Sequence, residues 1–177
     1  MAGRLKLETD RLLLREFDEA DAESFFPLVS DPDILRFTLD PGGGASNVEQ
    51  ALEMLRSRSM ADYRKYGFGR LAVVEKSSRR LIGFAGLKYL EERGEVDLGY
   101  RLLPTHWGRG FATESGRAIL RDGFTRLRLS RIIATVFPEN VASVRVLEKL
   151  GFAFEKPIEY ERHELSQYAI APSGSTG

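Results

Sequence analysis

The sequence predicts a mixed α/β (α+β) fold: a mostly antiparallel central sheet of about seven strands with helices on both faces. Three observations predict it. Residues 68–103 hold three short strand-like runs separated by polar turns, the spacing of an antiparallel meander. Residues 112–127 and 140–150 carry apolar side chains at helical spacing. Between them lies RIIATVF, residues 131–137, a β-branched run suited to a central strand.

Taken in order, residues 11–17 (RLLLREF) are apolar, bounded by charge, and give the first strand. Asp18 follows as an N-cap, and residues 19–29 place Ala22, Phe25, Phe26 and Val29 at helical spacing. Asp31-Pro32 is expected to end that helix. PGGG, residues 41–44, is a loop too short to link two domains. A second helix covers 47–65, with Val48, Leu52, Leu55 and Met60 as its apolar stripe. The meander strands are 68–75, 81–90 and 95–103, joined by the turns 76–80 and 91–94. The helix at 112–127 contains Gly116 and Gly123, each costing about 1 kcal/mol relative to Ala. Gly116 suits a close approach to the sheet or a ligand; Gly123 has no account from sequence beyond a bend. The helix at 140–150 turns Val141, Val144, Leu147 and Leu150 inward, and Gly151-Phe152 has the chemistry of a helix C-terminus. Residues 152–155 and 165–170 are the last strands. The order is β-α-α-β-β-β-α-β-α-β-β.

A length of 177 residues suits one domain, expected over 1–170, with a small, polar and disordered tail at 171–177. The 26 basic and 26 acidic residues cancel. That balance disfavours non-specific nucleic-acid binding, which needs a positive excess. No apolar run approaches a membrane span, and the first nine residues lack a signal peptide's apolar stretch. A cytoplasmic protein with no membrane partner is expected. The chain has no cysteine and two histidines, His106 and His163. A Cys nucleophile, a disulfide framework, Cys-ligated zinc and a three-His metal site are therefore excluded, and no metal is expected. Chemistry must come from carboxylates, hydroxyls, arginines and backbone.

The most informative segment is LLPTHWGRGFATE, residues 102–114. A strand ends at Pro104, and Gly108, Arg109 and Gly110 lead into a helix. The first N–H groups of a helix have no internal partner and carry partial positive charge. Glycines let a ligand approach the backbone, and Arg109 adds a charged fork. Together these make an anion site, best suited to a pyrophosphate; the plain alternative is a glycine turn that only starts a helix. No lysine follows Gly110, so a P-loop fails, and the GxGxxG spacing breaks at Thr113. PENVASVRVLEKLGF, residues 138–152, repeats the strand–loop–helix plan. Asn140 there reads by itself as a cap, with Ser143 one turn in.

With these two segments the chain resembles the GNAT superfamily of acetyl-CoA-dependent N-acetyltransferases, and within it the RimJ/RimL-like branch of ribosomal-protein N-terminal acetyltransferases. The resemblance runs from Thr9-Asp10-Arg11-Leu12 through Tyr168, and is carried most specifically by DLGYRLLPTHWGRGFATE and NVASVRVLEKLGF. It implies a pyrophosphate loop of pattern [RQ]xxGx[GA] on Trp107, Gly108, Arg109, Gly110, Phe111 and Ala112, where Trp107 departs from the Arg or Gln of the first position. Thr113 adds a hydroxyl. Backbone contacts to pantetheine are implied at Tyr100, Arg101 and Leu102, in a gap between their strand and the one at 131–137. Asn140 and Ser143 would face the pantetheine and sulfur.

The implied chemistry is direct attack of an amine on the acetyl-CoA thioester through an oxyanion, in a ternary complex. A backbone N–H near Leu102 serves the oxyanion. Asp97 or Glu95, two apart on one strand face, is the candidate base, directly or through water; each also reads as an ordinary strand charge. Ser143 is a poor candidate acid and Tyr168 the alternative. The acceptor site lies opposite the cofactor, under the first two helices. Asp31, Asp33 and Asp40, with Glu91, Glu92, Glu95 and Asp97, are acidic groups that would attract a cationic primary amine, of which Asp31, Asp33 and Glu95 are the substrate-binding candidates. Each also reads as a cap or solvated turn. The acceptor is a protein N-terminus, a polyamine or a small-molecule amine. A homodimer is expected. The alternative is a non-catalytic acyl-CoA-binding regulatory module.

Overall fold

Continuous burial along the central segments marks one sheet covered on both faces. The computed structural model describes residues 3–173; of the tail expected to be disordered, residues 174–177 lie outside the described residues. The strands are β1 (Leu5–Glu8), β2 (Leu12–Arg15), β3 (Arg70–Glu75), β4 (Arg80–Leu90), β5 (Glu95–Leu102), β6 (Ile132–Val136), β7 (Ala153–Tyr160) and β8 (His163–Ile170). They lie in the order β1-β2-β3-β4-β5-β6-β8-β7 in one eight-stranded sheet. All neighbours are antiparallel except β5 and β6. The meander of β3, β4 and β5 is present as expected. β1 is a strand beyond the expected seven. Its residues are exposed or half-buried, so no buried alternation marks it in the sequence. β7 and β8 run longer than expected because they pair along their whole length. β7 is an exposed edge strand, where Pro157 is tolerated but hides the pattern.

The helices are α1 (Ala22–Phe25), α2 (Pro32–Leu35), α3 (Val48–Ser57), α4 (Ser59–Tyr66), α5 (Phe111–Thr125) and α6 (Val141–Leu150). Both helices expected in the first third are corrected. The one at 19–29 is broken into a 3₁₀ turn, α1 and a second 3₁₀ turn that contains Pro27, which has no N–H to continue an α ladder. Asp31-Pro32 starts α2 instead of ending a helix. Asp31 accepts from the N–H groups of Asp33 (2.9 Å) and Ile34 (3.2 Å), and Pro32 takes the first helical position. The helix at 47–65 divides into α3 and α4 at Arg58, whose φ of −112° and ψ of −94° are not helical.

Side chains of β5 alternate between the two cores. Val96, Leu98, Tyr100 and Leu102 pack on the face covered by α5 and α6, with Ile132, Leu147 and the fully buried Phe111. On the other face lies a second core, in which Phe17, Phe25, Leu28 and Leu55 pack on Ala72 and Phe84. The two glycines of α5 are packing devices. A Cβ at Gly116 would lie 2.7 Å from Leu150 Cδ1, and one at Gly123 would lie 3.1 Å from Ile132 and Leu87. Their absence lets α5 seat against α6 and the sheet, which accounts for Gly123 as well as Gly116.

The feature that positions the site is a fork. β5 pairs with β4 from Leu90↔Glu95 through to Gly83↔Leu102. It pairs with β6 at one position, Asp97↔Ile133, and the two strands then part. Among the described residues no helix is long and apolar enough to cross a membrane.

Candidate active site

After β5 the chain makes a 3₁₀ turn (Pro104–His106) and a short loop into α5. Gly108 and Gly110 have φ of 69° and 80°, in the left-handed region that costs other residues about 1–2 kcal/mol. The Trp107 indole donates to the Leu102 carbonyl at 2.8 Å, folding the loop back on β5. Trp107 thus shapes the loop at the position where the resemblance implies Arg or Gln. The first bond of α5 is from the Glu114 N–H to the Gly110 carbonyl at 3.0 Å. The N–H groups of Phe111, Ala112 and Thr113 precede it and no side chain caps them. By contrast α3 and α6 are capped by Asn47 and Asn140. The long α5 therefore offers its positive end and three free donors to an anion.

A clasp holds this loop. Glu114, in the first turn of α5, accepts from the Thr9 hydroxyl (2.6 Å), the Arg11 N–H (3.0 Å) and Arg11 Nε (2.7 Å). Arg11 Nη1 donates to the Arg109 carbonyl at 3.0 Å, and its guanidinium lies 4.4 Å over the Phe111 ring. Burial pushes the Glu114 carboxyl up, but the Thr9 hydroxyl and Arg11 outweigh it and hold the group below its usual range. The Arg109 side chain, expected on phosphate, donates to Glu75 at 3.1 Å and also covers Phe111. His106 lies 3.9 Å from the same carboxylate, and His163 is exposed against Phe137. Beside the start of α5 opens a groove of about 970 Å³, lined by Gly110, Thr113, Arg117, Arg121, Lys76 and Lys149.

The fork supplies the next part. The Leu103 N–H donates to the Ile82 carbonyl on β4 at 2.9 Å. By alternation the Arg101 backbone also faces β4, while Tyr100 and Leu102 turn theirs toward β6. From α6, Ser143 Oγ meets the Tyr100 hydroxyl at 2.7 Å, and that hydroxyl donates to the Ser143 carbonyl at 3.1 Å. Burial pushes the Tyr100 phenol up to about 12, so it keeps its proton at neutral pH. Asn140 spends its side chain on the Ser143 N–H at 3.2 Å. Tyr168 lies in the core, edge-on to Phe154 with centroids 5.7 Å apart. The phenol beside Ser143 is thus Tyr100, which the sequence had marked only for its backbone. Period-two alternation along β5 was the signal for its direction; the partner on α6 had none.

The acidic candidates separate. Asp97 is buried at the fork and accepts from Arg70 Nη2 at 2.9 Å. Burial pushes its carboxyl up, against Arg70 and the Thr135 backbone N–H. Glu95 lies on the same strand face but pairs with Arg131 (3.1 Å) and Arg93 (3.2 Å). Asp31 is a helix cap and Asp33 is exposed on the first turn of α2. Asp40 is shared by Arg101 (2.7 Å) and Arg58 (2.9 Å). Glu91 is held by Lys65 and Tyr66, and Glu92 is exposed. The expected acidic cleft is therefore largely neutralised by capping and pairing. Among the described residues no group of three or more His, Asp or Glu is placed to hold a metal ion.

A family profile described as the acetyltransferase (GNAT) domain matches residues 11–153. The chain belongs to this family and is an N-acetyltransferase. It is 37% identical over 153 residues to the uncharacterized N-acetyltransferase YoaA of Bacillus subtilis, a match covering 84% of this chain and 83% of that one. A GNAT-family acetyltransferase from Bacillus anthracis superposes with a TM-score of 0.76 at 29% identity, over 94% of this chain and 97% of that one. RimL, a ribosomal L7/L12 alpha-N-protein acetyltransferase solved with coenzyme A, has a TM-score of 0.81 at 18% identity, over 95% and 98% of the two chains. That last likeness is one of fold.

Proposed function

We propose that this chain, as one domain over residues 1–170, transfers the acetyl group of acetyl-CoA to a primary amine, in the manner of the RimJ/RimL-like branch. The observation that carries this reading is the uncapped, glycine-started helix α5 set beside the open end of the β5–β6 fork. The same-fold RimL structure, which holds coenzyme A, supports the choice of ligand.

The residues present fit that ligand. Phosphates suit the N–H groups of Phe111, Ala112 and Thr113, the Thr113 hydroxyl and the cations of the adjoining groove. The pantetheine amides suit the β6-facing backbone of Tyr100 and Leu102, which would extend β5 as an added strand does. Acetyl-CoA supplies an activated acetyl group: a nitrogen–carbon bond forms, the carbon–sulfur bond breaks, and sulfur leaves with the electron pair.

Three tasks fall to the chain. Asp97 receives the proton shed by the amine, through a water because its carboxylate is buried, and its raised pKa suits a base. A backbone N–H turned into the fork, that of Tyr100 or Leu102, holds the acetyl oxygen as negative charge develops there. The paired hydroxyls of Tyr100 and Ser143 lie next to the fork and return a proton to sulfur. The test is release of free thiol from acetyl-CoA with a panel of amino acids, spermidine and N-terminal peptides. Amine-dependent release is expected. Tight CoA binding with no amine-dependent release across the panel would overturn the reading.

A further inference from the structure

The face of the sheet under α1–α4 is built around cations at the fork. Arg70 on β3, Gly86 on β4 and Gly99 on β5 stand opposite one another in register. Neither glycine has a side chain to block the way, so Arg70 reaches across the sheet and lays its guanidinium over Gly99. A Cβ at Gly99 would lie 2.3 Å from Arg70 Nη2 and 2.5 Å from its Cζ. Arg70 spends Nη2 on Asp97, while its Nε is buried without an acceptor. An unmet buried donor is costly, and a cation without its full set of acceptors more so.

In the next row Lys88 stands directly opposite Asp97. It is half-buried and makes no hydrogen bond or ion pair among the described residues. Burial, with Arg70 and Arg58 nearby, pushes its ammonium below the usual range, while Asp62 and Asp97 oppose that. In the row on the other side of Gly99, Arg101 reaches Asp40, which Arg58 also holds. Four cations (Arg58, Arg70, Lys88, Arg101) thus face three carboxylates (Asp40, Asp62, Asp97), and two of the carboxylates are already bonded to arginine. Gly99 lies two residues beyond Asp97↔Ile133, where β5 and β6 part, so the Arg70 guanidinium sits at the mouth of the fork.

This arrangement repels a polycation. It also favours the neutral, nucleophilic form of an amine held there, since nearby positive charge lowers an ammonium pKa. Asp62 and Asp97 oppose the Lys88 charge without pairing to it, and the cluster keeps one cation in excess, which an anionic group on the acceptor would balance. We propose that the acceptor carries an anionic group close to its amine, a carboxylate or phosphate received by Lys88 beside the Arg70 guanidinium. The inference rests on the acetyltransferase reading above and narrows its substrate class.

The test compares kcat/KM within matched pairs at low salt: α-amino acids against their carboxamides, and O-phosphoethanolamine against ethanolamine, with spermidine as the polycation. The anionic member of at least one pair should be favoured tenfold or more, and the pair that shows it distinguishes carboxylate from phosphate. Lys88→Gln should bring that ratio to within threefold of one, and Lys88→Arg should keep it. Preference for the neutral members or for spermidine overturns the inference while leaving the transferase reading intact. So does an anion preference undiminished in Lys88→Gln. If no amine is turned over although CoA binds, the transferase reading fails and this inference falls with it.

Discussion

Replacing Thr113 by Glu tests the phosphate reading with two effects of opposite sign. Thr113 is the third residue of α5, and the N–H groups of Phe111, Ala112 and Thr113 have no cap. A glutamate at this position reaches back to the start of the helix as in a capping box, and its charge complements the helix dipole. The gain is about 0.3–1 kcal/mol. For a chain of this length that raises Tm by roughly 1–4 °C. The same carboxylate stands about 4–5 Å from where a phosphate would sit on those donors, a repulsion of about 3–4 kcal/mol per charge pair at an effective dielectric near 20. Salt and exposure reduce this to about 2 kcal/mol, or roughly a thirtyfold loss of CoA affinity. Calorimetric titration with CoA and thermal melts on the same samples read both effects, with Thr113→Val reporting loss of the hydroxyl alone. A raised Tm with a CoA Kd within threefold of the parent would show that the free donors are not the phosphate site.

Arg11→Ala removes an exposed pair with Glu114, worth about 0.5–1 kcal/mol, and a bond to the Arg109 carbonyl worth about 1 kcal/mol. KM for acetyl-CoA should rise by up to about ten- to thirtyfold by steady-state kinetics. The Glu114 carboxyl is held below its usual range, so its hold on the loop is present above the unfolded-state pKa and lost as pH falls through the lower folded value. CoA affinity measured against pH should therefore be level through neutral pH and fall only in acid below the ordinary glutamate range. The Asp97 carboxyl is pushed up, so a base at this position loses activity as pH falls through a value above the ordinary aspartate range. Asp97→Asn should abolish that limb of the kcat/KM profile and lower the plateau by about a hundredfold; an unchanged profile removes Asp97 from the role. Tyr100→Phe should lower kcat by about tenfold, a small acid–base effect because thiolate leaves readily, with CoA Kd by titration unchanged.

Much of the scaffold was legible because it is written locally. The β-branched run at 131–137, the helical spacing at 112–127 and 140–150, and the glycines before α5 each constrain their own backbone, whatever they pack against. Where apolar spacing misled, the cause was local backbone chemistry in the helices and strand pairing at the sheet edges. Pro27 and Arg58 broke helices whose apolar spacing ran on past them. β1 is held by pairing with β2, and β7 by pairing with β8, although neither buries an alternating face.

The sequence by itself determined the class of fold, the glycine-led start of α5, and the restriction of chemistry to carboxylates, hydroxyls, arginines and backbone. The tertiary structure decided which charges remain free. Glu114 meets Arg11 across 103 positions of sequence, and Tyr100 meets Ser143 across 43. Arg70 reaches Asp97 over two glycines aligned by strand register. The acidic clusters within residues 31–40 and 91–97 read as groups awaiting a cationic amine. In the folded chain Asp97 and Asp40 are bonded to arginines, and Lys88 beside them makes no ion pair. Spacing along a chain reports only which residues share a face. Charge at a site depends on which partners register and packing bring within about 3 Å, where an ion pair forms.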